Sequence, residues 1–493
     1  MNWAARSGLS RTLVAGLCKS ANSGYFTYQT LVARSLGRQT LSRGFCGTGV
    51  GATKTPVPDA TIASALKAKE SIENSILGYH QLMDQIKKEQ TVFPAPPEEL
   101  VQKLVLTDDW ATIGITIEDM EMYMIKDPRF ENRLDKSVNY PGSSWIRLKL
   151  PLASKEKIRK YLALGNNRIR IGRLLELMDM LAGRICYWHT NNSFNPKDLT
   201  IVTASVDGIQ FYNNAIELDK DLSLEGYICY TGTSSMEVRI DVRNHENKLH
   251  CSAYYVFVAR DKLTGKAAKV PKLDFSLEQD PERARLRFQL GKARQENRIL
   301  KSKNSLQKEP PSSDEIKTLH TLMREQLDGA SYESKYKAID LGPQQVHIGS
   351  TLTTKYLVKQ IQDRNIHGKI FGGMLMRESL ELAFVCSRML PFVKDPKVYF
   401  IDDIFFLLPV DLGSIVRYSA QATYIEGSLL NIKVVVEIIK KTEFGNEFQK
   451  TTEFNLVMQV SSDTQTTLVP ITYSESMMYL EARRRIKRLL TNE

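Results

Sequence analysis

The sequence predicts an α+β protein that contains the same unit twice, each unit being a long central helix wrapped by an antiparallel sheet. A glycine-led helical run, NNRIRIGRLLELMDMLAG at 166–183, recurs as NIHGKIFGGMLMRESLELAF at 365–384. Each run is followed by several strand-like segments rich in Val, Ile, Tyr and Thr. Internal repetition indicates copies of one supersecondary unit, and a ratio of roughly five strands to one helix favours a sheet packed around that helix.

The first 58 residues differ in composition from the rest of the chain. They are rich in Ser and Thr, and no acidic residue precedes Asp59. Such composition is typical of a mitochondrial presequence, so we expect a mitochondrial protein of the matrix, with a disordered basic tail as the alternative. Seven basic residues lie in this segment: Arg6, Arg11, Lys19, Arg34, Arg38, Arg43 and Lys54.

The remaining composition limits the class of protein. The seven basic residues account for much of the formal charge of +11, so the rest of the chain is only mildly basic, which argues against a nucleic acid as the main partner. With 493 residues and a hydrophobic share of 42%, two or three domains with large cores are expected. No apolar run approaches about 18 residues, so we expect no transmembrane segment.

The cysteines and histidines show no ligand pattern. Six cysteines are scattered without a CxxC pair, which indicates reduced thiols and no disulfide framework. His245, His250 and Cys251 are close in sequence, but the stretch is typical of a hairpin turn that enters a strand. We therefore expect no metal ion.

The first repeat is predicted to span residues 109–274, after a helical extension at 59–108. SSWIRLKLPL at 143–152 alternates like a strand, and the helix-like run 171–188 follows it. The strand-like segments LTIVTASVDGIQFY, GYICYTGTSSMEVRIDVRN and KLHCSAYYVFVARD come next.

Residues 275–334 are charged and poor in aromatic residues, which predicts a helix that leads into a flexible linker. The second repeat, 335–493, begins with the strand-like HIGSTLTTKYLV and continues through the glycine turn and its helix. Four strand-like segments and a basic helix, SESMMYLEARRRIKRLL, complete it. The repetition extends downstream, because SVDGIQF at 205–211 matches FIDDIFF at 400–406.

The turn before the second helix has the pattern Asn-x-x-Gly-x-x-x-Gly-Gly. Followed by long antiparallel strands, it resembles the hot-dog fold of acyl-CoA thioesterases. Two such units behind a mitochondrial presequence resemble the acyl-CoA thioesterase 9 type of that family, over roughly residues 100–475. The resemblance implies a hydrolase that converts fatty acyl-CoA to free fatty acid and CoA.

The resemblance also implies a composite active site. In related double hot-dog thioesterases, one unit supplies a helix carboxylate after the glycine turn, and the other unit supplies an Asn before it. The matching positions are Asp179 in the first repeat and Asn365 in the second. The opposite pairing falls on Leu380 and Leu164, so each repeat keeps one half of a site.

Asp179 is then expected to be the general base or the nucleophile, and Asn365 to position water or substrate. An acid between Met178 and Met180 on a buried helix is costly unless it is used or satisfied; a buried structural Asp is the alternative.

Gly372 and Gly373 can bring backbone N–H groups close to a thioester oxygen at the start of a helix. Tight helix packing would also favour these glycines, and we keep both interpretations. His367 lies in the same turn and is a candidate for substrate binding, although a packing role is more common for such a histidine. The sequence contains no GxSxG, GxxxxGK[ST] or HExxH motif.

Two further functions remain open from the sequence. An inactive acyl-CoA-binding or scaffold protein could keep the fold without the chemistry, and a hot-dog dehydratase would use a catalytic histidine, for which His367 is the candidate. The resemblance further implies a homo-oligomer. No cofactor is expected, because CoA is part of the substrate.

Overall fold

The computed structural model describes residues 101–104, 121–125, 138–165, 168–190, 199–212, 216–276, 280–303, 306, 308–328, 344–363, 370–443, 445–461 and 466–491. All of these residues belong to one compact unit, Glu73–Glu493. None of the helices within these ranges is both long and apolar enough to cross a membrane.

The first repeat begins with short strands and contains one long helix. Its elements are β1 (Val101–Leu104), β2 (Glu121–Ile125), β3 (Val138–Asn139), β4 (Ile146–Leu150), α1 (Glu156–Leu162), β5 (Ala163–Leu164), β6 (Arg168–Ile169), α2 (Ile171–His189), β7 (Leu199–Val206), β8 (Ile209–Phe211), β9 (Leu222–Thr231), β10 (Ser235–Asn244), β11 (Leu249–Asp261), β12 (Lys272–Leu273) and α3 (Pro281–Lys303).

One helix, α4 (Ser313–Asp328), lies between the repeats, and from its long helix onward the second repeat has the same order of described elements as the first, six strands and a closing helix. Its elements are β13 (Gln345–His347), β14 (Thr353–Val358), α5 (Gly372–Met389), β15 (Lys397–Ile401), β16 (Ile404–Phe406), β17 (Ile415–Glu426), β18 (Leu429–Thr442), β19 (Gly445–Gln459), β20 (Thr467–Val469) and α6 (Tyr473–Thr491).

One 14-stranded sheet runs through both repeats in the order β1-β2-β4-β9-β10-β11-β7-β16-β19-β18-β17-β14, with β8 and β15 paired beside this path. The repeats meet where β7 pairs with β16 and where β8 pairs with β15. Val206 pairs with Ile404 in the first of these contacts, and Ile209 pairs with Ile401 in the second. The junction therefore has approximate two-fold symmetry. Helices α2 and α5 share one hydrophobic core with the sheet, which confirms the predicted α+β class.

Each repeat ends in a helix that packs against the sheet in the same way. The rings of Tyr230 and Phe288 lie 4.8 Å apart between β9 and α3, and those of Tyr424 and Tyr479 lie 4.9 Å apart between β17 and α6. Helix α3 is thus the counterpart of α6. The prediction for 275–334 assigns this helix instead to the segment between the repeats.

The charged sequence of α3 has a structural reason. Arg294 is buried and pairs with Glu237 of β10. At the corresponding place in the second repeat, Arg485 donates to Asp402 at 2.6 Å and to Asn431 of β18 at 3.2 Å. These arginines therefore attach each closing helix to polar groups of the sheet. The number of charges in the sequence does not show whether such residues are buried or exposed.

The expected flexible linker also contains a second helix, α4. Leu319 of α4 packs with Leu306 and with Leu480 of α6. Arg484 donates to both carboxylate oxygens of Glu315, at 2.5 and 2.7 Å. The prediction of a linker is wrong for this part of 275–334, because an apolar stripe and an ion pair hold the segment against α6.

The helical prediction for 59–108 is wrong for residues 101–104, which form β1, and its other residues lie outside the described part of the chain. Strand β1 pairs antiparallel with β2. Val101 packs against a cluster that contains Trp145 and Tyr227. Burial of an aromatic surface therefore decides the local structure here, as it commonly overrides propensity.

Helices α2 and α5 approach each other at one glycine from each. A Cβ atom at Gly172 would lie 3.2 Å from the Cα of Arg377, and one at Gly373 would lie 2.9 Å from the Cα of Glu176. Arg377 and Glu176 each stand four residues beyond the glycine of their own helix. The contact is therefore reciprocal, and it needs a missing side chain at both glycines.

Gly172→Ala should destabilise the protein by about 1–3 kcal/mol, because the added methyl group would meet the backbone of α5. Gly165→Ala is the control, since a Cβ there would meet no atom within 4 Å, and its effect should stay within about 0.5 kcal/mol. Denaturant unfolding of both variants measures the difference. Equal stability of the two variants would refute the close helix contact.

Candidate active site

Asp179 lies in the middle of α2 on the side that faces the start of α5. Only 3% of its surface is exposed. Its neighbours Leu175, Met178 and Ala182 belong to the hydrophobic core, so the carboxylate lies among apolar side chains, with the buried Glu176 one turn before it. A buried carboxylate of this kind must be paired or hydrogen-bonded to persist.

Two donors from different elements hold the carboxylate. The hydroxyl of Thr203 on β7 donates to Oδ1 at 3.0 Å. The backbone N–H of Gly373, in the first turn of α5, donates to Oδ2 at 2.7 Å. Gly373 can donate because the first N–H groups of a helix have no intrahelical acceptor. The positive end of the α5 dipole also favours a negative charge there.

Burial raises the pKa of Asp179 from its ordinary value of 3.8 to about 6. The hydrogen bonds from Gly373 and Thr203 act in the opposite direction, and the nearby charge of Glu176 adds to the rise. The carboxylate is therefore mostly ionised at neutral pH, yet it is a stronger base than an exposed Asp.

Aromatic rings surround the start of α5. A Cβ atom at Gly372 would lie 3.0 Å from Cζ of Phe406 and 3.3 Å from Oδ2 of Asp179. At Gly373, a Cβ atom would lie 2.8 Å from Cε2 of Phe371. Any side chain at either glycine would therefore fill the space beside the carboxylate or displace a ring.

A group of paired charges lies where the two helices cross. Arg173 donates to Glu176 at 2.7 Å within α2 and stacks over Tyr161, with its guanidinium carbon 4.5 Å from the ring centroid. Arg377 of α5 lies 3.3 Å from the same Glu176, and Arg170 donates to Glu381 at 2.8 Å. The pairs made by Arg377 and Arg170 join α2 and the residue that precedes it to α5, and so help to fix Asp179 relative to Gly373.

The structure brings three of the five predicted site residues together: Asp179, Gly372 and Gly373. Asn365 and His367 lie outside the described residues. The sequence predicts that the N–H of Gly373 faces the substrate, but in the structure it binds the carboxylate of Asp179. Sequence reasoning does not find Thr203, because a threonine in a strand is common and only the fold shows that it faces α2.

The corresponding place in the second repeat is apolar. Leu380 occupies the position of Asp179 and is buried. Val398 occupies the position of Thr203, because each stands at the same irregularity in the pairing of its strand, Thr203 opposite Phe257 and Val398 opposite Met458. Acid and hydroxyl are thus both replaced by aliphatic side chains, so among the described residues this acid–hydroxyl pair occurs in the first repeat and has no counterpart at the matching positions of the second.

Comparisons with known proteins identify relatives of this chain. Residues 171–251 match the thioesterase superfamily. The chain is 31% identical over 71% of its length to acyl-coenzyme A thioesterase 10, mitochondrial, of Mus musculus, covering 78% of that protein. It is 32% identical over 69% of its length to acyl-coenzyme A thioesterase 9, mitochondrial, of Homo sapiens, covering 76% of it.

Among solved structures, an acyl-ACP thioesterase from Bacteroides thetaiotaomicron has a TM-score of 0.38 at 11% identity, over 64% of this chain and 98% of that one. The mouse and human relatives decide the family of this chain, because they are 31% and 32% identical to it and the matches cover 78% and 76% of their length. The chain belongs to the acyl-CoA thioesterase family that includes thioesterases 9 and 10.

Proposed function

We propose that this acyl-CoA thioesterase hydrolyses fatty acyl-CoA to free fatty acid and CoA at one composite site per chain, with Asp179 as general base and Asn365 positioning the water or the substrate. One observation carries the proposal. The hydrogen bond from Gly373 to Asp179 joins the acid of the first repeat to the glycine turn of the second, the turn in whose sequence Asn365 stands.

In the proposed reaction, Asp179 removes a proton from a water molecule as the water oxygen bonds to the thioester carbonyl carbon. The carbonyl oxygen becomes an oxyanion. The carbon–sulfur bond then breaks, and the proton passes from Asp179 to the departing sulfur to give the CoA thiol. Thr203 and Gly373 hold the carboxylate in position throughout.

Gly372 is the proposed donor to the oxyanion. Its N–H is the first of α5 and has no intrahelical acceptor, whereas the N–H of Gly373 is used by Asp179. The α5 dipole favours negative charge at this end. Direct attack by Asp179 on the carbonyl carbon is the second route; it expels the CoA thiolate and forms an anhydride, which water then hydrolyses.

The cellular setting is also part of the proposal. The relatives in mouse and human are named as mitochondrial, and the first 58 residues have the composition of a presequence. We infer a mitochondrial matrix enzyme that forms a homo-oligomer and needs no cofactor. Fusion of residues 1–58 to a fluorescent protein should direct it to mitochondria; a cytosolic signal would contradict this assignment.

Asp179→Asn and Asn365→Ala should each lower kcat for acyl-CoA hydrolysis by about 10²-fold or more, since each removes a group that acts on the attacking water. Asp314→Asn is the matched control, because Asp314 is exposed on α4 and should have no effect. Steady-state assays over a chain-length series, with folding checked by circular dichroism, measure this. Full activity in both site variants would refute the composite site.

The pH dependence of kcat/KM should follow Asp179. A base is active when deprotonated, so the rate should fall as pH drops through about 6. Thr203→Val removes a donor that lowers this pKa, so the acidic limb should move to higher pH, while Thr203→Ser should leave it in place. An acidic limb with its midpoint near pH 4 in the wild type, or the same midpoint in both Thr203 variants, would contradict the role of Asp179 as the base.

A further inference from the structure

Four positions beside the central helix differ systematically between the repeats. In the first repeat they are leucines with no exposed surface: Leu148, Leu152, Leu177 and Leu224. In the second repeat, strand register places Lys355 and Tyr418 at the positions of Leu148 and Leu224. Lys359 stands four residues after Lys355, as Leu152 does after Leu148, and Glu378 stands five residues after Gly373, as Leu177 does after Gly172. An apolar patch between helix and sheet is thus replaced by two lysines, one acid and one phenol.

Part of this polar cluster is paired internally. Lys355 on β14 donates to Glu378 on α5, and Arg377 reaches the other oxygen of Glu378 at 2.7 Å. These contacts satisfy the acid. They give a structural reason for Lys355 and Glu378, and they leave Lys359 and Tyr418 to be explained.

Lys359 is the unusual member of the cluster. It is 1% exposed, and its Nζ lies 3.7 Å from Sδ of Met374 and 5.2 Å from the ring centroid of Tyr418. Within the described part of the chain, no carboxylate lies within ion-pair distance of it, and the buried Tyr418 hydroxyl has no hydrogen-bond partner. Burial of such groups is costly unless a ligand uses them.

The cluster contacts the first turn of α5, the turn that also donates to Asp179. Met374, which Lys359 contacts, directly follows Gly373, the donor to Asp179. Methionine is flexible and can move aside for a ligand. Burial lowers the pKa of Lys359 to about 8, so the ammonium form still predominates at neutral pH.

We propose that Lys359, assisted by the Tyr418 hydroxyl, receives a carboxylate at the far end of the acyl group, so that dicarboxylic acyl-CoA is a preferred substrate class. The inference rests on the proposed function, because it places the thioester at the start of α5. The acyl chain then passes Met374, and its terminal carboxylate pairs with the Lys359 ammonium and accepts a hydrogen bond from Tyr418.

A structural role for the cluster and a contact with the CoA phosphates both fit these observations less well. A purely structural cluster would pair all of its charges, as Lys355 and Glu378 do. A contact with the CoA phosphates requires a cation at the surface, and Lys359 is buried.

The test compares kcat/KM for adipyl-CoA and hexanoyl-CoA, which have acyl chains of equal length. The wild type should favour adipyl-CoA. Lys359→Leu introduces the residue that the first repeat carries at this position, so it should fold. It should lower kcat/KM for adipyl-CoA by about 10-fold or more, and leave that for hexanoyl-CoA unchanged or higher, because only adipyl-CoA loses a charged partner.

Tyr418→Phe is a second variant, which removes one oxygen from a buried ring. It should lower kcat/KM for adipyl-CoA by less than Lys359→Leu does, and it should leave kcat/KM for hexanoyl-CoA unchanged.

A wild type without preference, or a Lys359→Leu variant that slows both substrates equally, would overturn the inference. Asp179→Asn separates the two claims. If it abolishes hydrolysis of both substrates while Lys359→Leu shows no selectivity, the composite site stands and only the acyl preference fails.

Discussion

The close crossing of α2 and α5 is the contact on which the rest of the structure depends. Because Gly172 and Gly373 lack side chains, each helix start can lie against the backbone of the other helix. This approach brings the N–H of Gly373 to 2.7 Å from the carboxylate of Asp179. The ion pair between Arg377 of α5 and the buried Glu176 of α2 then spans the crossing. A site assembled in this way exists only when both repeats are folded together.

Burial of the Asp179 carboxylate lowers the folding stability of the protein. Burial raises the pKa of Asp179 to about 6 in the folded protein, against an ordinary value of 3.8. Between these values the folded state binds more protons than the unfolded state, so stability falls as pH rises through this window and stays lower above it. The same burial makes the carboxylate a better base. The second repeat, with Leu380 and Val398 at the matching places, avoids this cost and has no acid there.

The sequence predicted the duplicated α+β architecture, the central helices and the burial of Asp179, because glycine-led apolar helices and alternating strands leave clear periodic patterns. It could not predict Thr203 or the bond from Gly373, since both depend on contacts between distant elements. Helix α3 was misassigned because its charges suggested solvent, whereas Arg294 is buried against Glu237. The sequence alone does not predict the polar cluster at Lys359, because strand register is needed to show that it takes the places of four leucines of the first repeat.

The number of ligand molecules bound per chain distinguishes one composite site from two separate sites. Isothermal titration of the full chain with a non-hydrolysable thioether analogue of acyl-CoA counts the sites independently of turnover. A composite site binds one ligand per chain, and binding should weaken when a bulky residue replaces Gly372, which borders Asp179. Two equivalent sites per chain, or one site that is indifferent to Gly372, would show that the ligand does not bind between α2 and the start of α5.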